Sequence, residues 1–457
     1  VNVFAQSVVT LIGLGIAIDY GLFIVSRFRE EIADGYDTRT AVRRTVMTAG
    51  QTVVFSATII VAALACLLIF PQGFLKSVSY GAICAVSLAA LCSITVLPAI
   101  LSILGPRIDM WGLKILRRTK TREEIENGFW GRLAGWVMRH PLKTAIPVIL
   151  VLLALIIPFA GIKFGGLSEK YLPPDNPYRA AQQDFDKSFP AQRTNSITLV
   201  IRYDANSAAN LQQVVDEASN VGMNDRGGKI FTKDFTAVAS GSGDTSFKSS
   251  TDCSDVCYIK TSAPLASDAD QAYAVKQLRK IDTQGTQMWV TGTPALTQDS
   301  IDTLMGDLPL MVVLLLLVVG LLMFLAFGSV ILPIKAALVS ALGLGATLGI
   351  LTWIFVDGHG SSIGNFTPQP LMSAVLVLII SIIFGLSMDY EVFLLSRMVE
   401  ARQRGATTSE AIRKGTAHTG RIITAAAAIL VVVTGAFGLS EIVMMKYISY
   451  GIIAALI

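Results

Sequence analysis

The chain has 457 residues, of which 53% are hydrophobic and only 15% are charged. Soluble domains carry about 25% charged residues, so this composition excludes an ordinary soluble protein and indicates a membrane protein. The net charge of +4 is small, and no basic tract is interleaved with aromatic residues, which excludes nucleic acid as a partner.

Apolar runs close to the ~20 residues that a membrane-spanning helix needs recur along the chain. They lie at about 5–26, 52–70, 77–104, 143–162, 310–328, 331–355, 371–396 and 421–439, and a ninth begins near residue 447. Three connecting segments, 27–51, 105–142 and 397–421, are short and rich in Lys and Arg. Short basic loops stay in the cytoplasm, so we expect a multi-pass protein of the plasma (inner) membrane with these loops inside.

The segment 163–309 is the long polar stretch of the chain, and counting spans from the basic loops puts it outside the cytoplasm. Its residue pattern predicts strands at 196–203, 257–261 and 288–292, a weaker strand near 235–239, and helices at 208–221 and 268–281. The resulting order, β-α-β-β-α-β, is the split βαβ or ferredoxin-like plan.

Two cysteines, Cys253 and Cys257, lie four residues apart in this segment. Outside the cytoplasm a local disulfide between them is favoured. A metal site would need two further ligands, and no histidine is nearby, so we expect no metal. The absence of a Walker motif, a zinc pattern and a nucleophile elbow argues against an enzyme and against a bound cofactor.

An internal repeat decides the expected architecture. The segment around Asp19 and Tyr20 matches the segment around Asp389 and Tyr390 at an offset of 370 residues (389 minus 19). The same offset pairs Ala41 with Ala411, Gly50 with Gly420, Lys76 with Lys446 and Tyr80 with Tyr450, without a gap. Both copies run into a basic loop, so they cross the membrane in the same direction, as parallel repeats do.

The repeat also predicts that the intact protein has twelve membrane-spanning helices, with six spans and one outer domain in each half. Because the chain opens with an apolar run and no Met, we expect an N-terminally truncated fragment. The expected parts are helices of the first repeat at 1–104, a cytoplasmic linker at 105–142, a helix at 143–162, an outer domain at 163–309 and helices of the second repeat at 310–457. The fold class is thus a mostly α polytopic membrane protein with an α+β outer domain.

Two aspartates at the centres of predicted spans are the main functional signal. An Asp at the centre of a spanning helix costs about 2.5–3.5 kcal/mol, and two at matched positions are hard to explain without a function. Neighbouring buried carboxyl groups can hold and release protons near physiological pH. We therefore predict Asp19 and Asp389 as proton carriers, each within reach of the other copy's hydroxyl, Tyr390 or Tyr20. The alternative is a static interhelical hydrogen bond.

The remaining candidates are weaker. Ser56 lies on the following span, but its repeat counterpart is Ala426, so a relay role and plain packing stay equally open. Phe23 and Phe393 either gate the site or pack the core. Four charged residues at the span boundaries are expected to be interfacial anchors: Lys76, Lys446, Arg27 and Arg397.

Four stretches make the chain resemble the mycobacterial membrane protein large (MmpL) family of resistance-nodulation-division (RND) transporters, especially its branch that exports trehalose monomycolate in mycobacteria or corynebacteria. The stretches are Gly15–Glu31, Ala41–Gly50, Phe70–Lys76 and Gly385–Met398. The resemblance implies a secondary transporter that exports or flips a mycolic-acid glycolipid for cell-envelope assembly. Protons, the lipid, the membrane and envelope-assembly proteins are the implied partners, and 163–309 matches one of the family's two porter domains.

The resemblance further implies that the two Asp-Tyr pairs are the family's proton relay. It also implies an inhibitor site between their helices, lined by Ile12, Ile16, Phe23, Ser56, Leu386 and Phe393. Two functions from other classes stay open within the same superfamily: a sterol-sensing or receptor-like protein and an accessory subunit of protein secretion. The missing first half-unit is the chief departure from the family pattern.

Overall fold

The computed structural model describes residues 3–110, 124, 126, 128–166, 168–204, 210–221, 229–235, 256–283 and 285–457. The chain forms two compact units. One comprises Val1–Phe164 with Gly306–Ile457, and the other comprises Gly165–Met305.

Within the described residues, eight helical segments are long and apolar enough to cross a membrane. They are α1 Phe4–Ala33, α2 Thr38–Ile69, α3 Gly73–Ile108, α5 Pro141–Gly161, α9 Thr293–Phe327, α10 Ile331–Val356, α11 Ser373–Gln403 and α12 Thr408–Gly438. Two shorter helices, α4 Phe129–Arg139 and α13 Val443–Leu456, belong to the same unit. Each apolar run predicted from the sequence coincides with one of these helices to within two residues at either end of the run, and Leu371–Met372, the first two residues of the run 371–396, are extended.

The helices run beyond the predicted apolar runs because charged and polar residues continue the helical pattern. The repeat explains where α1 and α11 end, since Gly35 and Gly405 lie 370 residues apart and both have a left-handed φ, +91° and +90°. Only glycine adopts this conformation without strain. The next helix of each copy then begins with a side-chain cap, from Asp37 before α2 and from Thr407 before α12.

Two helices contain local departures with a sequence cause. In α3 the regular helix breaks at Thr95, three residues before Pro98, whose ring has no N–H for the Ile94 carbonyl. In α2 a π-turn at Val46–Gly50 interrupts the α-helix. Such single turns are frequent at functional sites, and this one precedes the segment that carries Ser56.

The first unit places α11 at its centre. Along its most apolar window 89% of α11 is buried, against 50% for α1 and none for α5. The copies interlock, because α1 packs against α12 of the second repeat and α11 packs against α2 of the first. Both Asp-Tyr pairs therefore lie inside the helical bundle, each facing helices of the other copy.

The second unit combines helices with a three-stranded sheet. Strands β1 Ser196–Asp204, β2 Val256–Pro264 and β3 Gln287–Thr291 are antiparallel in the order β2-β1-β3. Its helices are α6 Pro177–Ser188, α7 Leu211–Asn220 and α8 Gln271–Leu278. Apart from this sheet, short extended segments lie at Phe164–Gly165, where the two units of the chain meet in sequence, and at Leu371–Met372 in the first unit.

Alternation along the central strand explains the core of this unit. Ile197, Leu199 and Ile201 point to one face and are fully buried against apolar residues of α7 and α8. Three predicted strands and two predicted helices overlap the observed elements. The weaker strand near 235–239 lies, apart from Phe235, outside the described residues.

Cys253 also lies outside the described residues, as does the side chain of Cys257, so the disulfide stays a prediction. Residues 111–123, 125 and 127 of the 105–142 linker also lie outside the described residues.

Candidate functional site

A direct hydrogen bond joins the two repeats in the interior of the bundle. The Tyr390 hydroxyl on α11 donates to Oδ2 of Asp19 on α1 at 2.8 Å. Asp19 is 4% exposed, so the contact lies away from water. The sequence predicted this half of the site, because it placed each Asp within reach of the other copy's tyrosine.

The other half contains an extra residue. Ser56 on α2 donates to Oδ1 of Asp389, and its hydroxyl also lies 3.2 Å from the Tyr20 hydroxyl. Ser56 thus stands between Asp389 and Tyr20, which the prediction had joined directly. The repeat argued against Ser56 because its counterpart is an alanine, but the two halves of the site are not equivalent. We refer to Asp19, Tyr20, Ser56, Asp389 and Tyr390 as the relay, after the role that the sequence predicts for the two Asp-Tyr pairs.

The relay is buried and contains no basic partner. Asp389, Tyr20 and Ser56 are at most 1% exposed. Among the described residues, no lysine or arginine forms an ion pair with Asp19 or Asp389, and no metal-ligating group of three acidic, His or Cys side chains occurs. A buried charge without a counter-ion is costly. Binding and releasing a proton is therefore the chemistry that this arrangement supports.

Two aromatic rings lie one helical turn beyond the aspartates. The rings of Phe23 and Phe393 meet with their centroids 4.2 Å apart, tilted by 43°. The 370-residue offset relates these two residues, so the pair lies where the two copies meet. Both side chains are buried, and they separate the aspartates from the basic ends of α1 and α11.

At those basic ends, four charged side chains form what we call the charge cluster. Within each copy Arg27 pairs with Glu30 at 3.1 Å and Arg397 with Glu400 at 3.0 Å. Between the copies Arg397 pairs with Glu30 at 3.0 Å and Arg27 with Glu400 at 3.5 Å. The interpretation of Arg27 and Arg397 as simple interfacial anchors is therefore wrong. The repeat could have indicated these ion pairs, because the 370-residue offset relates Glu30 to Glu400 as it relates Arg27 to Arg397.

Lys446 also departs from the expected anchor role. Its side chain is only 5% exposed and its Nζ donates to the carbonyl of Gly364. The Gly364 carbonyl lies in the segment that precedes α11, so this hydrogen bond holds that segment against α13. Its counterpart Lys76 is half-buried.

The six residues expected to line an inhibitor site fall in three places. Ile12, Ile16 and Leu386 line a small apolar cavity of about 30 Å³. Phe23 and Phe393 line a second, smaller cavity of about 10 Å³ beside Asp19. Ser56 is buried in the relay. The inhibitor role itself stays a prediction.

Comparison with known proteins gives consistent results. The model of the MMPL family matches residues 1–144 and 170–456. The trehalose monomycolate exporter MmpL3 of Mycolicibacterium smegmatis is 53% identical over 487 residues, covering 100% of this chain and 47% of that protein. MmpL3 of Mycobacterium tuberculosis H37Rv, also a trehalose monomycolate exporter, is 53% identical over 489 residues, covering 100% of this chain and 50% of that protein.

Among solved structures, SecDF of Thermus thermophilus, a translocon-associated membrane protein, matches with a TM-score of 0.55 and 12% identity. The match covers 98% of this chain and 51% of SecDF, and at this identity it shows a shared fold alone. The chain spans about half the length of the curated relatives it matches. With a family match over most of its length and relatives at 53% identity, the chain belongs to the MMPL family of membrane proteins.

Proposed function

We propose that the whole protein containing this chain uses proton flow through the relay to drive export of a mycolic-acid glycolipid, such as trehalose monomycolate, across the plasma membrane. It is a secondary transporter and not an enzyme. One observation supports the coupling above all: the buried Asp19 is hydrogen-bonded to a tyrosine of the other repeat. The substrate class follows the names of the relatives at 53% identity, which are exporters of trehalose monomycolate.

The hydrogen bonds suggest how a proton changes the bundle. A carboxylate only accepts hydrogen bonds, whereas a protonated carboxyl group also donates one. Protonation of Asp389 therefore competes with the donation it accepts from Ser56, and protonation of Asp19 competes with that from Tyr390. Since each of these bonds joins different repeats, proton binding alters how the repeats are held together. Each proton that crosses supplies about 2.3 kcal/mol per 100 mV of membrane potential.

The second unit is proposed as an extracytoplasmic porter domain. The central position of β1, antiparallel to both neighbours, supports the ferredoxin-like plan, in which a fourth strand would add beyond β2. The position outside the membrane rests on the basic loops. Envelope-assembly proteins are the partners expected on that side.

The test uses Asp19→Asn and Asp389→Asn in the whole protein, with export of the glycolipid measured in cells. Asn keeps the size of the side chain but cannot carry a proton, so each variant should lower export at least a hundredfold. Asp357→Asn, at an exposed residue after α10, should export normally. Normal export by either relay variant would refute the proton coupling. Export that persists after the proton gradient is collapsed would instead favour the receptor-like alternative.

A further inference from the structure

The short helix α4 is not part of the relay, but it packs against one of the helices that surround the relay. Gly131 and Ala134 of α4 are buried, and α4 contacts α12. The ring of Trp130 lies on Gly420 of α12, since a Cβ added to this glycine would come within 2.8 Å of the ring. Small residues and one tryptophan thus hold one side of α4 against α12.

An exposed side of α4 is apolar. Phe129 and Trp136 lie seven residues apart, which is two helical turns, so they share one side of the helix. They are 66% and 53% exposed. Leu142, in the first turn of α5, is also exposed, and the apolar window of α5 has no buried residue. Exposed tryptophan beside a lipid-facing span is typical of the boundary between water and the bilayer.

Cations lie next to this apolar side. Arg132 and Arg139 are exposed, and each follows an exposed aromatic residue, Phe129 or Trp136, by three residues. This spacing places each arginine about 60° around the helix from its aromatic neighbour. Lys143, in the first turn of α5, is exposed as well. The aromatic side and the basic side of α4 therefore adjoin each other.

These three cations have no carboxylate partner. Within the part of the chain that the structure describes, none of them has an ion pair or a side-chain hydrogen bond. The described carboxylate nearest to Arg132 in sequence, Glu126, pairs instead with Arg413 of α12 at 3.3 Å. Unpaired cations beside an apolar interfacial surface attract anionic lipid head groups. The surface of α4 thus has charge complementarity to an anion that lies at the edge of the bilayer.

We infer that α4 and the first turn of α5 bind the head group of an anionic phospholipid in the leaflet on the basic, cytoplasmic side of the bundle. Arg132, Arg139 and Lys143 bind the phosphate, while Phe129 and Trp136 enter the lipid beside it. A soluble phosphate would satisfy the cations but leave the aromatic side chains in water. A lipid is the occupant that satisfies both sides of the helix.

The site is placed to act on the relay through α12. Trp130 of α4 rests on Gly420, and the preceding residue, Thr419, lines the small cavity beside Asp19. A bound lipid that fixes α4 therefore also fixes this part of α12. Lipid binding itself does not depend on the proposed function, whereas its effect on export does.

The first test measures lipid binding by native mass spectrometry of the whole protein, titrated with phosphatidylglycerol or with phosphatidylcholine of the same acyl chains. Arg132→Gln combined with Arg139→Gln should weaken phosphatidylglycerol binding about thirtyfold, because each cation near an anionic lipid contributes about 1 kcal/mol, or about fivefold. Phosphatidylcholine binding should not change. Lysine at both positions keeps the charges and should stay within threefold of the unchanged protein. The control, Arg39→Gln combined with Arg107→Gln, removes two exposed arginines of α2 and α3 and should also stay within threefold.

The second test measures proton-driven lipid export in proteoliposomes of phosphatidylcholine, alone or mixed with phosphatidylglycerol. Phosphatidylglycerol should stimulate export at least threefold in the unchanged protein and in the control, but not in the double glutamine variant of α4. Equal phosphatidylglycerol affinity in that variant and the control would overturn the lipid site, as would displacement of the lipid by soluble glycerol phosphate. Export that does not respond to phosphatidylglycerol in the unchanged protein would overturn the action through α12. Asp19→Asn should still bind phosphatidylglycerol, so normal export by Asp19→Asn would overturn the proposed function alone.

Discussion

The charge cluster at the basic ends of α1 and α11 should couple the two repeats energetically. Glu30 accepts from Arg397 at 3.0 Å, across the repeats, and from Arg27 at 3.1 Å within its own. The two arginine side chains are 13% and 7% exposed, and the Glu30 side chain is 29% exposed. The cluster is thus shielded from water more than a surface ion pair, but less than a fully buried one.

This partial burial sets the expected magnitude. Hydrogen bonds to charged groups contribute about 1.5–3 kcal/mol when they are protected from water, whereas exposed ion pairs contribute about 0.2–1 kcal/mol. A double-mutant cycle with Glu30→Gln and Arg397→Gln isolates their interaction. Because Glu400 also pairs with Arg397 and shares its charge, we expect a coupling free energy near the lower end, about 1–2 kcal/mol.

The assay is reversible unfolding of the whole protein in mixed micelles, titrated with a denaturing detergent. The comparison cycle uses Arg279 and Asp299, which pair at 2.5 Å with side chains 38% and 50% exposed. That exposed pair should couple by less than about 1 kcal/mol. A Glu30–Arg397 coupling no larger than that of the exposed pair would refute the view that the cluster holds the repeats together.

Three further predictions follow from single residues. Ser56→Ala removes the donor to Asp389 and should lower export in cells at least tenfold, whereas Ser56→Thr should retain activity; normal export by Ser56→Ala would remove Ser56 from the relay. Gly405→Ala should destabilise the protein by about 1 kcal/mol or more, because Gly405 has a left-handed φ of +90°. The control is Gly435→Ala, whose added Cβ meets nothing within 4 Å. It should be neutral or stabilising in the same unfolding assay. Cys253 and Cys257 of the whole protein should resist alkylation from the outside until a reductant is added; labelling without reductant would exclude the disulfide.

The sequence predicted the helices and one half of the site for a clear physical reason. Long apolar runs have few alternatives in a membrane, and an intramembrane aspartate is too costly to be accidental. The repeat then paired Asp19 with Tyr390 across 371 residues, and the structure has that hydrogen bond. These results depend on hydrophobicity and on a constant offset, both of which can be seen in a single sequence.

The features that sequence reasoning missed depend on side-chain direction. Whether Ser56 faces Asp389 depends on how α2 rotates about its axis, and a serine inside an apolar helix reveals no direction by itself. Arg27 and Arg397 carried the right charge for an interface with lipid head groups, but the crossing of α1 and α11 brings each beside a glutamate of the other copy. A charged residue at the end of a span is therefore ambiguous until the packing partner of its helix is known.

The differences between the halves carry more information about mechanism than the similarity does. Here one carrier, Asp389, is closed in by Ser56 and Tyr20. The other, Asp19, has one carboxyl oxygen without a hydrogen-bond partner among the described residues and lines a small cavity together with Thr419. A duplicated unit whose copies have diverged at Ser56 and Ala426, and again at Ala49 and Thr419, thus places its two buried carboxyl groups in different surroundings.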